Sequence, residues 1–280
     1  MKLAEYIADE LICAVTHVPD DVLQRLLWAQ RMETSEASKA VLAAILKNLE
    51  IADAQQLPMC QDTGMFLVFV DVGKSCPLTL AAIEAAILEG CALAVDKAYY
   101  RHSVVEEPVY ARNNTLTNLP PVIWWQPVEG SSLTIQILLK GFGSENCCQV
   151  RMLNPTCGEE GVIEAVGAIV QAAGGKPCPP IFLGVGLGGS MDRAAYLSKR
   201  ALLRPVNQQH TDAQYASLEE KILAKVQQTE IGSGGLGGTI TALSVAIEHE
   251  PTHIAGLPLA VSINCWADRK AKIVWEGEDA

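Results

Sequence analysis

Cys60, Cys178 and Cys265 each sit in a segment suited to holding a backbone in place. Cys60 lies in Leu57-Pro58-Met59-Cys60-Gln61-Asp62-Thr63-Gly64, Cys178 opens Cys178-Pro179-Pro180, and Cys265 closes Ser262-Ile263-Asn264-Cys265-Trp266. Three thiolates this far apart in sequence could meet on one soft metal centre and leave one metal position open. An open position separates a catalytic metal from a structural one. Gln61 and Asp62 directly follow the first thiol, where an amide and a carboxylate can hold a polar substrate or move a proton. Asp before Thr-Gly also commonly bonds its own turn backbone. Both readings stay open.

The remaining cysteines of the nine read more plainly. Cys13 and Cys91 fall in helical apolar patterns and are expected to pack as small hydrophobes. Cys76 and Cys157 stand at loop edges. The adjacent pair Cys147-Cys148 has no assigned role. Zinc is disfavoured because no C-x2-4-C pair occurs. Gly184-x-Gly186-x-x-Gly189 formally matches a dinucleotide fingerprint, but the preceding Cys-Pro-Pro and the missing acidic ribose partner speak against nicotinamide. Its glycines are expected to let backbone pass close to a cofactor or substrate. Gly232 to Gly238 lacks the Gly-Lys-Ser/Thr ending of a phosphate loop.

The elements that must position these residues are expected to be mixed α/β. Asp20-Asp21 caps a helix, and Thr34-Ser35-Glu36 starts another through Leu46 and Ile51. A short strand, Phe66 to Val70, follows the Cys60 loop, then a helix from Leu80 to about Tyr99. Strand signals return at Val122–Gln126 and at Leu133–Leu139, where apolar and polar residues alternate over most of the run. Lys140-Gly141-Phe142-Gly143-Ser144-Glu145-Asn146 reads as a glycine-flexed loop. Helices are expected near 159–173, 193–203 and 213–228, and strands near 181–185, 242–247 and 259–263. The reading is one domain over 1–280, α/β, with mixed sheets surrounded by helices and a helical N-terminal segment.

With 280 residues, 49% of them hydrophobic and 19% charged, the chain has the composition of an ordinary globular enzyme. A net charge of −11 argues against a nucleic-acid surface. The opening residues read as an amphipathic helix with acidic side chains, not as a basic-then-apolar leader. No apolar run approaches the ~18–20 residues of a membrane span. A cytoplasmic protein with reduced thiols is expected.

Taken together, Cys60-Gln-Asp-Thr-Gly, Arg101-x-Ser-Val-Val, Lys140-Gly-Phe-Gly-Ser-Glu-Asn, Cys178-Pro-Pro with Gly-Val-Gly-x-Gly-Gly, and Thr252-His-Ile-Ala-Gly-Leu-Pro followed by Cys265 resemble a known family. They look like the α subunit of the iron-sulfur (class I) fumarate hydratases, a family that includes the L-tartrate dehydratase α subunit. The likeness runs from about residue 10 to 270 and keeps motif order. It implies that Cys60, Cys178 and Cys265 ligate a [4Fe–4S] cluster. It places Gln61, Arg101, Gly143 and His253 around a small dicarboxylate substrate, with Asp62 as the proton-transferring group. It implies a hydro-lyase interconverting fumarate and (S)-malate, a separate smaller β subunit, and a dimerised αβ heteromer. Dehydration of L-tartrate or another hydroxy dicarboxylate is the alternative, and a silent scaffold subunit a further one. Cys265-Trp266-Ala267 is closer to the tartrate dehydratases, whereas Gly143-Ser144-Glu145-Asn146 matches the fumarases.

Overall fold

The computed structural model describes residues 2–276. They pack as two compact units, each assembled from separated stretches of chain. Unit 1 comprises 2–19, Asn48–Phe142 and 269–276, and unit 2 comprises Asp20–Lys47 and Gly143–Asp268. Met1 and Ala280, the end points of the expected 1–280 domain, lie outside the described residues.

Along the chain run α1 (Leu3–Thr16), α2 (Asp20–Met32), α3 (Glu36–Gln55), β1 (Met65–Gly73), α4 (Leu80–Lys97), β2 (Val122–Val128) and β3 (Leu133–Lys140). There follow α5 (Phe142–Glu145), β4 (Gln149–Leu153), α6 (Gly158–Ala173), β5 (Ile181–Gly189), α7 (Met191–Ala201), α8 (Ala213–Gln227), β6 (Ala242–Thr252), β7 (Leu257–Asn264) and β8 (Lys270–Trp275). The class is α/β with two mixed sheets and a helical N-terminal segment, as the sequence predicts.

Unit 1 carries the sheet β2-β1-β3-β8, with β1 parallel to β2 and antiparallel to β3. Alternation along β1 sends Phe66, Val68 and Val70 into one core with Leu3, Ile7 and Leu11 of α1 and Ile83, Ile87 and Cys91 of α4. On the sheet's other face Phe69 stacks on Trp124, ring centroids 4.7 Å apart. Complete burial pushes the Cys91 thiol up to about 12. Cys13 corrects the expectation. It is exposed, because α1 turns Leu11, Ala14 and Val15 inward instead.

Unit 2 carries the sheet β4-β7-β5-β6, with β5 parallel to β6 and antiparallel to β7. α6 and α8 contribute Val166, Ile169, Ile222 and Val226 to the core with Ile181, Leu183 and Val185 of β5. α7 packs against β5 and β7. Gly184 and Gly186 lie inside β5 rather than in a ligand loop, and what passes close to them is α7. A methyl at Gly184 would meet the Ser198 carbonyl oxygen at 2.0 Å, and one at Gly186 the Ala194 carbonyl oxygen at 2.0 Å. Their role is helix-on-strand packing, which replaces the expected cofactor contact.

The segment 232–238 is a brace. Glu33, 2% exposed, accepts from the N–H groups of Thr34 (2.7 Å), Ser35 (2.9 Å), Thr239 (3.0 Å) and Ile240 (2.9 Å). Ser38 Oγ donates to the Gly237 carbonyl at 2.7 Å. Burial pushes the Glu33 carboxyl up, and the four N–H groups outweigh it, holding its pKa at about 2.

Gly186→Ala is expected to lose about 1–3 kcal/mol of stability in urea unfolding, because α7 must shift off the sheet. A variant within ~0.5 kcal/mol of the parent would contradict that packing. The Glu33 carboxyl is depressed below its unfolded value of ~4.3, so its contribution is complete above that pH. It is lost as pH falls through about 2. Glu33→Gln should therefore flatten the fall in unfolding free energy over this window. Identical pH slopes for parent and variant would refute the assignment.

Candidate functional site

Unit 1 holds the Cys60 loop, between α3 and β1. Backbone just before the thiol is fixed: the Met59 N–H donates to Val15 O at 3.1 Å, and Asn48 Nδ2 donates to Met59 O at 2.7 Å. Asp62 is half-buried and braced. Its Oδ1 accepts the Gly64 N–H at 3.0 Å, the turn expected of Asp before Thr-Gly. Its Oδ2 accepts the Phe142 N–H at 2.7 Å, a contact across 80 residues that the sequence does not announce. Arg269, 1% exposed, donates from Nη1 to the Asp62 carbonyl at 2.7 Å. Each carboxylate oxygen retains acceptor capacity beyond these bonds.

Arg101 belongs to the same unit and is positioned through its backbone. Its N–H donates to Thr63 Oγ1 at 3.1 Å, one residue from Asp62. Asn118, fully buried, donates from Nδ2 to Arg101 O at 2.8 Å, and its Oδ1 accepts the Ser103 N–H at 2.8 Å. The guanidinium itself is exposed, as is the Gln61 amide. The polar stretch after α4 is thus a structured loop that sets the Arg101 backbone beside the turn that follows Cys60. Sequence reasoning missed Thr63 and Asn118 as its supports; their only signal was polarity inside a motif.

Unit 2 brings Cys178 and Cys265 to one end of its sheet. β5 and β7 pair with Phe182 opposite Asn264, so the residues just before β5 and just after β7 are neighbours. The Trp266 N–H donates to Cys178 O at 3.4 Å. Cys178 holds a left-handed backbone, φ +56°, which costs a non-glycine residue energy and persists only where its surroundings impose it. Those surroundings are identifiable. The Cys178 N–H donates to Gly175 O at 3.2 Å, and the Gly234 N–H donates to Pro179 O at 2.8 Å. Gly175 packs on Gly235 so closely that a methyl on Gly235 would lie 2.7 Å from the Gly175 Cα. Gly143 opens toward the same segment, 3.8 Å from Lys176 O measured from an added Cβ. The expected loop around it contains α5.

His253 does not join this end. It occupies the turn between β6 and β7, where its Nδ1 accepts the Ala255 N–H at 3.1 Å. The 8 residues of β7 separate that turn from Cys265. At ~3.3 Å per residue an extended strand of this length puts roughly 26 Å between them.

The donor set fits an iron-sulfur group. None of the nine cysteines, all within the described residues, forms a disulfide. Cys178 is exposed and Cys60 and Cys265 half-exposed, whereas Cys91 and Cys147 are buried. Ser233, fully buried beside Gly234 in the brace on Cys178, has a hydroxyl with no hydrogen-bond partner, a donor of the kind that sulfur ligands accept. Within either unit, no three His, Cys, Asp or Glu side chains among the described residues are grouped to hold an ion. Among the described residues, no helix is long and apolar enough to cross a membrane.

Comparison with known proteins gives this arrangement a context. The family model described as fumarate hydratase (Fumerase) matches residues 4–274. A Methanocaldococcus jannaschii protein provisionally named L(+)-tartrate dehydratase subunit alpha is 40% identical over 277 residues, covering 97% of this chain and 96% of that protein. The L(+)-tartrate dehydratase subunits alpha of Escherichia coli K12 and Shigella sonnei are each 32% identical over 275 residues, covering 98% of this chain and 90% of theirs. With a match that runs nearly end to end, the chain belongs to the fumarate hydratase family of hydro-lyases.

Proposed function

We propose that this chain is the α subunit of an iron-sulfur hydro-lyase that removes water from, or adds it to, a four-carbon hydroxy dicarboxylate. Cys60, Cys178 and Cys265 would hold a [4Fe–4S] cluster. A smaller β subunit would complete the enzyme, as the word alpha in the relatives' names suggests. The observation that carries the reading is the imposed backbone at Cys178 beside Cys265, each presenting a thiol at the same end of a rigid sheet.

When bound, such a cluster supplies an iron with an open position that acts as a Lewis acid on a hydroxyl without redox change. The chain's own residues do the rest. Arg101 offers an exposed guanidinium for one substrate carboxylate. The Gln61 amide offers donors and an acceptor for a second polar group. Asp62, fixed by two backbone N–H groups, accepts the proton from carbon in one direction and returns it in the other. Gly143 lets the substrate approach backbone without a side chain in the way. His253, which the resemblance places around the substrate, stands in the turn at the far end of β7 from Cys265.

The relatives' names favour L-tartrate as substrate, in keeping with Cys265-Trp266-Ala267. Fumarate and malate form the second reading, kept by Gly143-Ser144-Glu145-Asn146.

The test is turnover of L-tartrate, malate and fumarate by the chain co-purified anaerobically with its β subunit and loaded with iron and sulfide. Turnover of at least one is expected, falling by ~10²–10⁴ in Asp62→Ala if that carboxylate transfers protons. Absence of turnover on all three by iron-loaded protein, or full activity in Cys178→Ala, would defeat the proposal.

A further inference from the structure

Cys148 is one of six thiols that the proposed site does not use. It precedes β4 in unit 2, and its sulfur meets a carboxylate, an ammonium, a backbone N–H and two backbone carbonyls. The thiol faces three acceptors, Glu145 Oε2 at 3.4 Å, Ser144 O at 3.5 Å and Ile263 O at 3.9 Å. Lys199 Nζ, on α7, donates to the sulfur at 3.8 Å, and the Ile263 N–H of β7 donates to it at 3.3 Å. Lys199 and Glu145 also form an ion pair, their side chains 12% and 29% exposed. The ammonium and the backbone N–H favour the thiolate, while the Glu145 carboxylate, offset by its ion pair with Lys199, serves as the proton acceptor. The neighbouring Cys147 offers a contrast. It is buried and donates to the Gly143 carbonyl at 3.5 Å.

The cluster is also reachable. Glu145, Cys148, Ser198, Lys199 and Ser262 line a cavity of about 240 Å³ in unit 2. That is ample for a small oxidant, and the Lys199 ammonium stands in its wall as a proton donor.

We propose that Cys148 is a modification site that reacts with hydroperoxides, with Glu145 and Lys199 as its activating pair. The thiol proton passes to Glu145, and the thiolate sulfur attacks one peroxide oxygen. The S–O bond forms as the O–O bond breaks, sulfur giving up two electrons and the peroxide accepting them. The leaving hydroxide takes a proton from Lys199 and departs as water, and Glu145 returns its proton to the amine. Thiol and hydrogen peroxide thus give sulfenic acid and water. The sulfur holds the Ile263 N–H two positions before Cys265, so the modification changes what that strand end is bonded to.

The experiment exposes the full chain briefly to hydrogen peroxide, traps sulfenic acid with dimedone, and counts labelled sites by peptide mass spectrometry. Fragment ions separate Cys147 from Cys148. Cys13 is the internal comparator: it is exposed, and burial, Glu10 and Asp53 push its thiol up, so it lacks activation. Cys148 is expected to label about 10-fold or more faster than Cys13, with Lys199→Met reducing it to the Cys13 rate and Lys199→Arg preserving most of it. Labelling no faster than Cys13 in the unaltered chain would overturn the proposal, and that comparison needs no variant to fold. So would an unchanged rate in Lys199→Met, or alkylation by iodoacetamide with no reaction toward peroxide. Site-resolved labelling is independent of iron loading and turnover, so its failure leaves the hydro-lyase reading untouched.

Discussion

Unit 2 depends on keeping Cys178 in a backbone conformation it would not choose. A left-handed φ on a residue with a Cβ costs of order 1–2 kcal/mol, and a single backbone hydrogen bond contributes only ~0.5–1.5 kcal/mol net. One bond could not hold the turn with any margin. Three do: Cys178 N–H to Gly175, Gly234 N–H to Pro179, and Trp266 N–H to the Cys178 carbonyl. The last also ties the strand end that carries Cys265 to the turn that carries Cys178. The glycine segment, its anchor on the buried Glu33 carboxylate, and the β5–β7 register all serve that junction.

Unit 1 solves the same problem by a different route. There the residue to be held is followed by a carboxylate, and the carboxylate does the holding. Charge-assisted bonds such as those from Gly64 and Phe142 to Asp62 are each worth more than neutral ones. Arg269, buried behind the turn, adds a bond to the Asp62 carbonyl. The consequence is a division of labour within one side chain. Asp62 organises the loop that presents Cys60, and it keeps the lone pairs that proton transfer needs. Any substitution there alters the loop as well as the proposed proton transfer, so Asp62 variants have to be interpreted beside variants of Thr63 or Asn118, which touch only positioning.

Much of this was legible in the sequence because it was local. The alternating runs at β1 and β3, the apolar pattern of α6, the Asp62 turn and the stop-and-turn segments around the three thiols all follow from neighbours in the chain. What escaped was set by distant partners. β8 reads as polar because Lys270 and Lys272 interrupt it, yet Ala271 and Ile273 face the core. β4 is short and lies at a sheet edge, where polar and apolar residues are equally tolerated. The glycines of β5 look like a nucleotide loop until α7 is seen lying on them. The two units are woven from non-contiguous segments, so no linker composition betrays them.

The central claim is that this one chain carries the complete thiol set for a cluster with one open iron. Mössbauer spectroscopy of the full chain, loaded anaerobically with ⁵⁷Fe and sulfide, reads that directly. The account predicts a [4Fe–4S] spectrum in which a single iron site shifts when a hydroxy dicarboxylate is added with the β subunit present. It also predicts loss of the signal in Cys60→Ala as fully as in Cys178→Ala. A cluster that survives removal of Cys60, or four iron sites indifferent to every dicarboxylate, would contradict it.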